Sequence, residues 1–511
     1  MSALPLARAH QLSAPLIPPC LSPPPYLRFA SLPPLSAIPA SPLCRRRTPL
    51  APLRGAARRR AIALRAQAAA GADEGKESRG GGGGERSGGG VKRVVVLGGS
   101  GRVGRSTAVA LAALAASDDE ATRAGFQLEL IISGRNRGRG EAVCEEVRAA
   151  AGAAGSATFI ECDITDTPAL DALLTGADLV VHCAGPFQQE PNCTVLEAAI
   201  RTKTPYVDVC DDVAFAGNAR SLHRAAVAAG VPAITTAGIY PGVSNLMAAE
   251  LVRLAGEEGA RMEEQQGQQQ AALGLRPKSL RFSYFTAGTG GAGPTILSTS
   301  LLLLGEPATA FKDGQRLQLP AYSRQRLVDF GPGVGERSTY LLNLPEVVSA
   351  HEVLGVPTVS ARFGTAPHMW NWGMQLLQAL LPQSVLQDRT AVQRMVGALE
   401  PLVRAADGSV GERVAMRVDL ETENGRSTTA LFSHRRLSVS VGVATAAFAL
   451  ALLEGSSLPG VHYPEQAEAI PVAQREKLVQ RATLGARFFA INKPGWMLER
   501  EPKQIGMGMY V

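Results

Sequence analysis

Three glycines, Gly99, Gly101 and Gly104, stand in the spacing G-x-G-x-x-G within the stretch Val94 to Ala108, VVVLGGSGRVGRSTA. Glycines at these intervals suit one chemistry well, the close approach of a bare backbone to a pyrophosphate. Gly99 is expected to allow the tight turn. Gly101 removes a side chain that would collide with phosphate oxygens, and Gly104 lets the next helix pack against the strand. The phosphates then meet N–H groups of the first helical turn, where the helix dipole favours an anion. The predicted cradle is Gly98, Gly99, Ser100, Gly101, Arg102, Val103 and Gly104. If the motif only shapes the fold, Gly101 is expected at positive φ, where alanine costs about 1 kcal/mol.

Such a cradle requires a strand before it and a helix after it. Val94 to Leu97 is an apolar run that reads as the strand, and Thr107 to Ala116 is a helix-compatible run. A polar insertion follows, and Leu128 to Ile132 reads as the second strand, ending in Ser133-Gly134-Arg135-Asn136. An acid here would accept bonds from the ribose 2′-hydroxyl of NAD. Instead a hydroxyl, a guanidinium and an amide are present, groups that donate to a 2′-phosphate. The cofactor reading is therefore NADP, held at this end by Ser133, Arg135 and Asn136. The alternative is a solvated basic turn, since Arg137 and Arg139 follow.

Helix and strand patterns alternate onward to Thr235, giving six β-units. This predicts an α/β fold with an N-terminal Rossmann, doubly wound parallel sheet, followed by a second α+β domain. Ligands of such sheets bind beyond the carboxyl ends of the strands. That rule adds Asp163 to the cofactor residues. It also adds Ala184, Gly185, Pro186 and Phe187, beside which a nicotinamide is expected. Candidates for proton handling are His182, Tyr206, Asp208, Asp211 and Tyr240. Asp211 ranks first because it follows a strand end, and Asp208 is expected to face a polar crevice. His182, inside a strand, also reads as a satisfied core histidine.

None of the seven cysteines lies in a C-x-x-C pair, so no structural zinc or other metal site is expected. Cys183 and Cys210 fall at strand ends, but no partnering base can be named. In the second domain, 280–286, 339–342, 414–421 and 430–433 read as strands and 374–381 as a helix. The glycine-rich loop at 288–293 suits close approach of a ligand. His368-Met369-Trp370-Asn371-Trp372 is expected to be a buried aromatic anchor or a contact of a homodimer. The Gln/Glu-rich run 257–272 is expected to be a surface insertion. Arg281, Arg362 and Arg413 are the cations available to an amino-dicarboxylate.

Residues 1–72 contain no Asp, Glu or Lys, and their ten arginines exceed the whole net charge of +7. The remainder is slightly acidic, so nucleic acid is not an implied partner. This Arg-, Ser- and Pro-rich head has the composition of a transit peptide and no long apolar run. The expected organisation is a transit peptide at 1–66, a Gly-rich disordered linker at 67–90 and a Rossmann NADP-binding domain at 91–240. An α+β substrate or dimerisation domain at 241–440 and a C-terminal returning helix with a tail at 441–511 follow. A plastid stroma is the first choice of compartment, a mitochondrion the second.

The order GGSGRVG, SGRN, CAGPF, YVDVCDD, TAGIYPGVSN, FTAGTGGAGPT and PGVHYPE resembles the saccharopine dehydrogenase-like family, in its plastid-targeted plant and algal branch. The resemblance implies a Rossmann NADP domain, a second domain covering the cleft and a helix returning to the first domain. It also implies hydride transfer at a C–N or C–OH bond of a small, possibly amino-acid-like metabolite. Asn245 stands where relatives often carry a charged or imidazole group, which sets the saccharopine substrate itself apart. The other reading is a redox-silent NADP(H)-binding sensor or scaffold.

Overall fold

The computed structural model describes residues 90–117, 125–152, 155–266, 273–288, 293–498, 504–506 and 509–510. The expected transit peptide and all but the last residue of the linker lie outside the described residues. The first strand, β1 (Val91–Leu97), explains the layering that follows. Val94 and Val96 point into one core and Val95 and Leu97 into another, so both faces must be covered.

Helices provide that cover. The chain runs β1, α1 (Arg102–Ala115), β2 (Gln127–Gly134), α2 (Arg137–Ala151), β3 (Ser156–Glu161), α3 (Thr167–Leu174) and β4 (Leu179–His182). It continues through α4 (Thr194–Thr202), β5 (Tyr206–Asp208), α5 (Val213–Ser221), α6 (His223–Ala229) and β6 (Pro232–Ile234). Side-chain caps fix several helix starts: Asn136 accepts from the Arg139 N–H, Asp166 from Ala169 and Asp212 from Phe215. The strands are parallel, with β1 between β2 and β4. The winding reverses there, opening a crevice beyond the carboxyl ends of β1 and β4.

The second domain follows α7 (Val243–Gln266). Residues 257–266 of the run expected to be an insertion continue this helix, and 267–272 lie outside the described residues. Next come β7 (Pro277–Ala287), α8 (Gly293–Leu304), β8 (Ala308–Lys312), β9 (Gln315–Leu319), β10 (Arg326–Asp329) and β11 (Glu336–Leu341). Then follow α9 (Pro345–Leu354), β12 (Thr358–Ala366), α10 (His368–Leu380), α11 (Gln383–Leu386), α12 (Arg389–Val410), β13 (Arg413–Thr422) and β14 (Ser427–His434). They build a mixed sheet in the order β10-β11-β12-β7-β13-β14, with the β8–β9 hairpin on β12. On α10, Met369 and Trp372 are more than half exposed, so this cluster is not the expected buried aromatic anchor. Its buried member is Asn371, which accepts from Tyr322 and donates to the Thr365 carbonyl.

The returning helix is α13 (Leu437–Leu453), longer than its expected core at 444–453. It is apolar on every side because it is buried on every side. It lies on α1 so closely that a Cβ at Gly442 would come within 2.5 Å of Ser106. The chain then adds β15 (Gly460–His462), a seventh parallel strand beside β6 that the six-unit reading lacked. After α14 (Val472–Ala482), β16 (Phe488–Lys493) completes the second sheet beside β14. No helix of the described residues is long and apolar enough to cross a membrane.

Candidate active site

The crevice between β1 and β4 is shaped by glycines, with one change from the expected roles. The left-handed residue is Gly98, at φ +73, and a Cβ there would strike the Ala184 backbone at 2.7 Å. Gly99 is constrained by packing, since its Cβ would meet Ile132 at 2.7 Å. Gly101 is not at positive φ: it is the extended N-cap of α1, at φ −81 and ψ 171. A Cβ on Gly101 would meet only the Gly98 carbonyl, at 3.0 Å. At Gly104 the Cβ would lie 2.4 Å from the same carbonyl, which is why the helix can approach the turn. α1 has no side-chain cap, so the first-turn N–H groups, Val103 and Gly104 among them, face outward without a helical acceptor.

At the end of β2, Ser133 is buried with an Oγ that has no hydrogen-bond partner, while its carbonyl accepts from Gly99 N–H. Ser100 lies over Gly134, where a Cβ would touch its hydroxyl at 2.6 Å. Arg135 is exposed at the strand end. Its neighbour Arg137 is engaged by Glu141 and Glu161 and lies over the Phe159 ring. Asn136 spends its side-chain oxygen on capping α2. Asp163, beyond β3, accepts from the Thr165 N–H and hydroxyl, which hold its carboxyl below the usual range.

The end of β5 separates residues that the sequence left together. Asp208 faces no crevice: it is fully buried and accepts from Cys210 N–H, Thr236 N–H, the Thr235 hydroxyl and the Tyr206 hydroxyl. Tyr206 also meets His182 Nδ1 at 3.1 Å. His182 packs edge-on against Phe187 and Phe215, and burial pushes its pKa down to about 4. His182, Tyr206 and Asp208 therefore form an internal strut. It holds Thr236 at φ +64, a conformation a β-branched residue resists. Burial pushes the Cys183 thiol up to about 12 and that of Cys210 well above its ordinary value, so neither is a ready nucleophile.

Asp211 is different. Its Oδ1 accepts from Gln188 Nε2 at 2.7 Å, and Gln188 Oε1 accepts from the Thr299 hydroxyl of α8 at 3.1 Å. Burial, with Asp212 and Glu306 nearby, pushes the Asp211 carboxyl up to about 6. Tyr240 stands on the loop after Thr236, stacked on Tyr284 and edge-on to Phe363. Its hydroxyl meets Thr286 Oγ1 at 2.8 Å, and burial, with smaller contributions from the Asp211 and Glu346 charges, raises its pKa. Asp211 and Tyr240 thus lie near enough for the charge of the one to act on the hydroxyl of the other, each tied to the second domain through a threonine. Asn245 lies beneath, buried, accepting from Gly242 N–H and donating to Ser349 and Glu465. Arg281 and Arg362 alternate with Tyr284 and Phe363 and so occupy the opposite face of the second sheet, away from the cleft. Arg413 donates to the Gly333 carbonyl.

Sequence reasoning missed Gln188, Thr286 and Thr299. Gln188 directly follows Phe187, so extending the strand-end segment by one residue would have found it. Thr286 ends the strand read at 280–286 and lies in FTAGTGGAGPT, whereas nothing local marks Thr299.

A parallel Rossmann sheet with a glycine turn, a buried orphan hydroxyl and a free arginine at the second strand end defines a dinucleotide-binding domain. Residues 94–234 match the family model described as the saccharopine dehydrogenase NADP binding domain, and the domain binds NADP. The apo saccharopine dehydrogenase (L-Glu forming) of Saccharomyces cerevisiae is 18% identical, with a TM-score of 0.53, over 76% of this chain and 96% of that chain. This likeness establishes a shared two-domain fold. A short-chain type dehydrogenase/reductase from Mycobacterium ulcerans overlaps 28% of this chain and 66% of its own at 19% identity and a TM-score of 0.22. An alcohol dehydrogenase from Thermococcus sibiricus, complexed with 5-hydroxy-NADP, overlaps 28% of this chain and 75% of its own, at 16% identity and a TM-score of 0.21. No curated protein matches the sequence.

Proposed function

We propose that the chain is an NADP(H)-dependent oxidoreductase acting at a C–N or C–OH bond of a small metabolite, with Asp211 moving the proton. The observation that supports this most is the Gln188 bridge. It holds a largely buried carboxyl of raised pKa beyond the end of β5 and ties it to the second domain through Thr299. The cradle fits the cofactor: Gly101 is bare, Gly104 admits the helix start, and Ser133 has an unused hydroxyl. When bound, NADP(H) supplies the hydride chemistry. Gly98 to Gly104 would hold its pyrophosphate, Ser133 and Arg135 its 2′-phosphate, and Ala184 to Phe187 border the reacting end. Asn136 and Asp163 shape that strand-end surface. The Tyr240 and Thr286 hydroxyls orient the substrate's polar atom, and Asp211 takes or gives the proton.

Asp211 makes the reaction pH-dependent. In the oxidative direction a carboxylate is needed, so kcat/KM rises as pH passes about 6 and the reductive direction falls over the same range. Asp211→Asn removes that limb. Stability moves as well: the folded chain keeps a proton that the unfolded chain has released, so stability falls as pH rises from the ordinary carboxylate range through about 6. A metabolite screen following NADPH absorbance, with parent and Asp211→Asn proteins, tests the assignment. Turnover unaffected by Asp211→Asn refutes the proton role. NADPH binding without turnover of any metabolite favours the redox-silent sensor, whose support is that His182, Tyr206 and Asp208 are consumed by the strut.

Arg135 is proposed as the 2′-phosphate ligand, because Arg137 is already engaged by acids. Charge-assisted bonds of roughly 1.5–3 kcal/mol are then at stake. Arg135→Ala is expected to weaken NADPH by about 10- to 150-fold and leave NADH nearly unchanged. Equal losses for both cofactors in a fluorescence titration would remove the assignment.

We also infer that residues 1–66 direct import into a plastid, with a mitochondrion as second choice; the support is their acid-free composition. N-terminal sequencing of the organelle protein should begin between about Arg60 and Gly71. A start at Met1 or Ser2 is incompatible with it.

A further inference from the structure

Arg281 and Arg362 are excluded from the cleft, and what surrounds them on the outer face of the second sheet is cationic. The parallel register sets Ser360 of β12 beside Arg281 of β7, and Arg362 beside Ser283, a checkerboard of guanidiniums and hydroxyls. β11 pairs Leu341 with Arg362 and Thr339 with Arg326, which brings Arg326 onto the same face. Arg324 precedes β10, and both it and Arg326 are exposed. Arg362 is half-buried. Its Nη1 donates to Ser360 Oγ at 3.1 Å, while its Nε is buried without an acceptor.

The acids on this face are already paired, one of them with Arg281 itself. Glu421 takes Arg281 at 3.1 Å and Lys278 at 3.9 Å. Asp419 takes Arg417 at 2.9 Å and the Thr429 hydroxyl. Among the described residues no carboxylate pairs with Arg324, Arg326 or Arg362. Burial and the like charges of Arg326, Arg281 and Arg324 lower the Arg362 pKa to about 10, which still leaves it cationic at neutral pH. A half-buried cation beside three others, with a ring of donors not fully used, is a costly arrangement for a protein to keep empty. An oxyanion relieves it, since guanidinium forks match phosphate and carboxylate oxygens.

We propose that Arg324, Arg326 and Arg362, with Ser360, form a second ligand site for a small multivalent oxyanion, separate from the nucleotide cleft and flanked by the Glu421-paired Arg281. The shared chemistry is an anionic oxygen group, phosphoryl or carboxylate. The site does not depend on the proposed enzyme activity.

Calorimetric titration of the full chain tests it, with inorganic pyrophosphate in one arm and citrate in the other. A Gly101→Val background keeps the glycine turn from contributing. One site is expected, and Arg362→Met should weaken it at least tenfold. Arg362→Lys, which keeps the charge and loses the fork, should fall between. Arg362→Met should not lower the anion-free melting temperature, whereas loss of a purely structural cation would. Tighter pyrophosphate assigns a phosphoryl ligand and tighter citrate a carboxylate; either supports the site. No binding of either anion, or binding unchanged by Arg362→Met, overturns it. So does sedimentation showing that a second copy already covers this face and leaves on Arg362→Met.

Discussion

A Gly101→Val protein is expected to fold, to melt within a few degrees of its parent and to bind no NADPH. The backbone at Gly101 is extended, at φ −81, a conformation any residue adopts. Its Cβ would press only on the Gly98 carbonyl, at 3.0 Å, a strain of about 1 kcal/mol. For a chain of this size that is a shift of a few degrees at most. The binding cost is far larger. The valine methyl groups stand over the first turn of α1, between its outward N–H groups and the pyrophosphate. Charge-assisted bonds there are worth roughly 1.5–3 kcal/mol each, so losing two or three removes about three decades of affinity or more. Gly101→Ala should lose at least tenfold. Thermal unfolding measured beside a fluorescence titration separates fold from binding. A variant that melts normally and still binds NADPH would show that the turn is not the nucleotide site.

The largest stability loss is expected at Asp208. Asp208→Ala strands the Cys210 and Thr236 N–H groups and the Tyr206 and Thr235 hydroxyls in a dry interior. Unsatisfied buried donors cost about 1–3 kcal/mol each, partly relieved by relaxation, so a loss of about 3–5 kcal/mol is expected. Thr236 also loses the bond that keeps it left-handed, which loosens the loop carrying Tyr240. Asp208→Asn keeps one acceptor and the shape, and should lose less. Urea unfolding measures both. Asp208→Ala with parental stability would mean that the strut is not structural, and would return Asp208 to the catalytic candidates.

Asp208 and Asp211 also show where the sequence stops being legible. YVDVCDD places three acids at one strand end, and nothing in their order says which is buried. The answer depends on Thr235 and Thr236, which arrive from the next strand, and on Gln188 and Thr299, which lie far apart in the chain. The glycine turn was legible because its chemistry is local, yet the positive φ fell on Gly98, where the Ala184 backbone also leaves no room for a Cβ. Val94 to Leu97 and Asp178 to Cys183 were readable as strands because both faces are apolar. The strand at Gly460–His462 is only three residues long and carries no periodicity. The Gln/Glu-rich composition from 257 onward suggested a surface insertion, but Gln and Glu are both good helix formers and α7 runs on to Gln266. The arginines of the second sheet carried no sign of which face they would take until the register of β7 and β12 was known.

The close seating of α13 on α1, and of β15 on β6, has a consequence for how the protein is made. A ribosome releases the glycine turn early and the segments that finish its domain near the end. Until Gly460–His462 emerges, β6 is an open sheet edge, and until Leu437–Leu453 emerges one flank of α1 is bare apolar surface. The nucleotide half therefore cannot mature from its amino end alone. The nascent chain must be shielded from its neighbours through most of its synthesis, and a stop codon anywhere before β15 would leave an adhesive fragment rather than a smaller working domain.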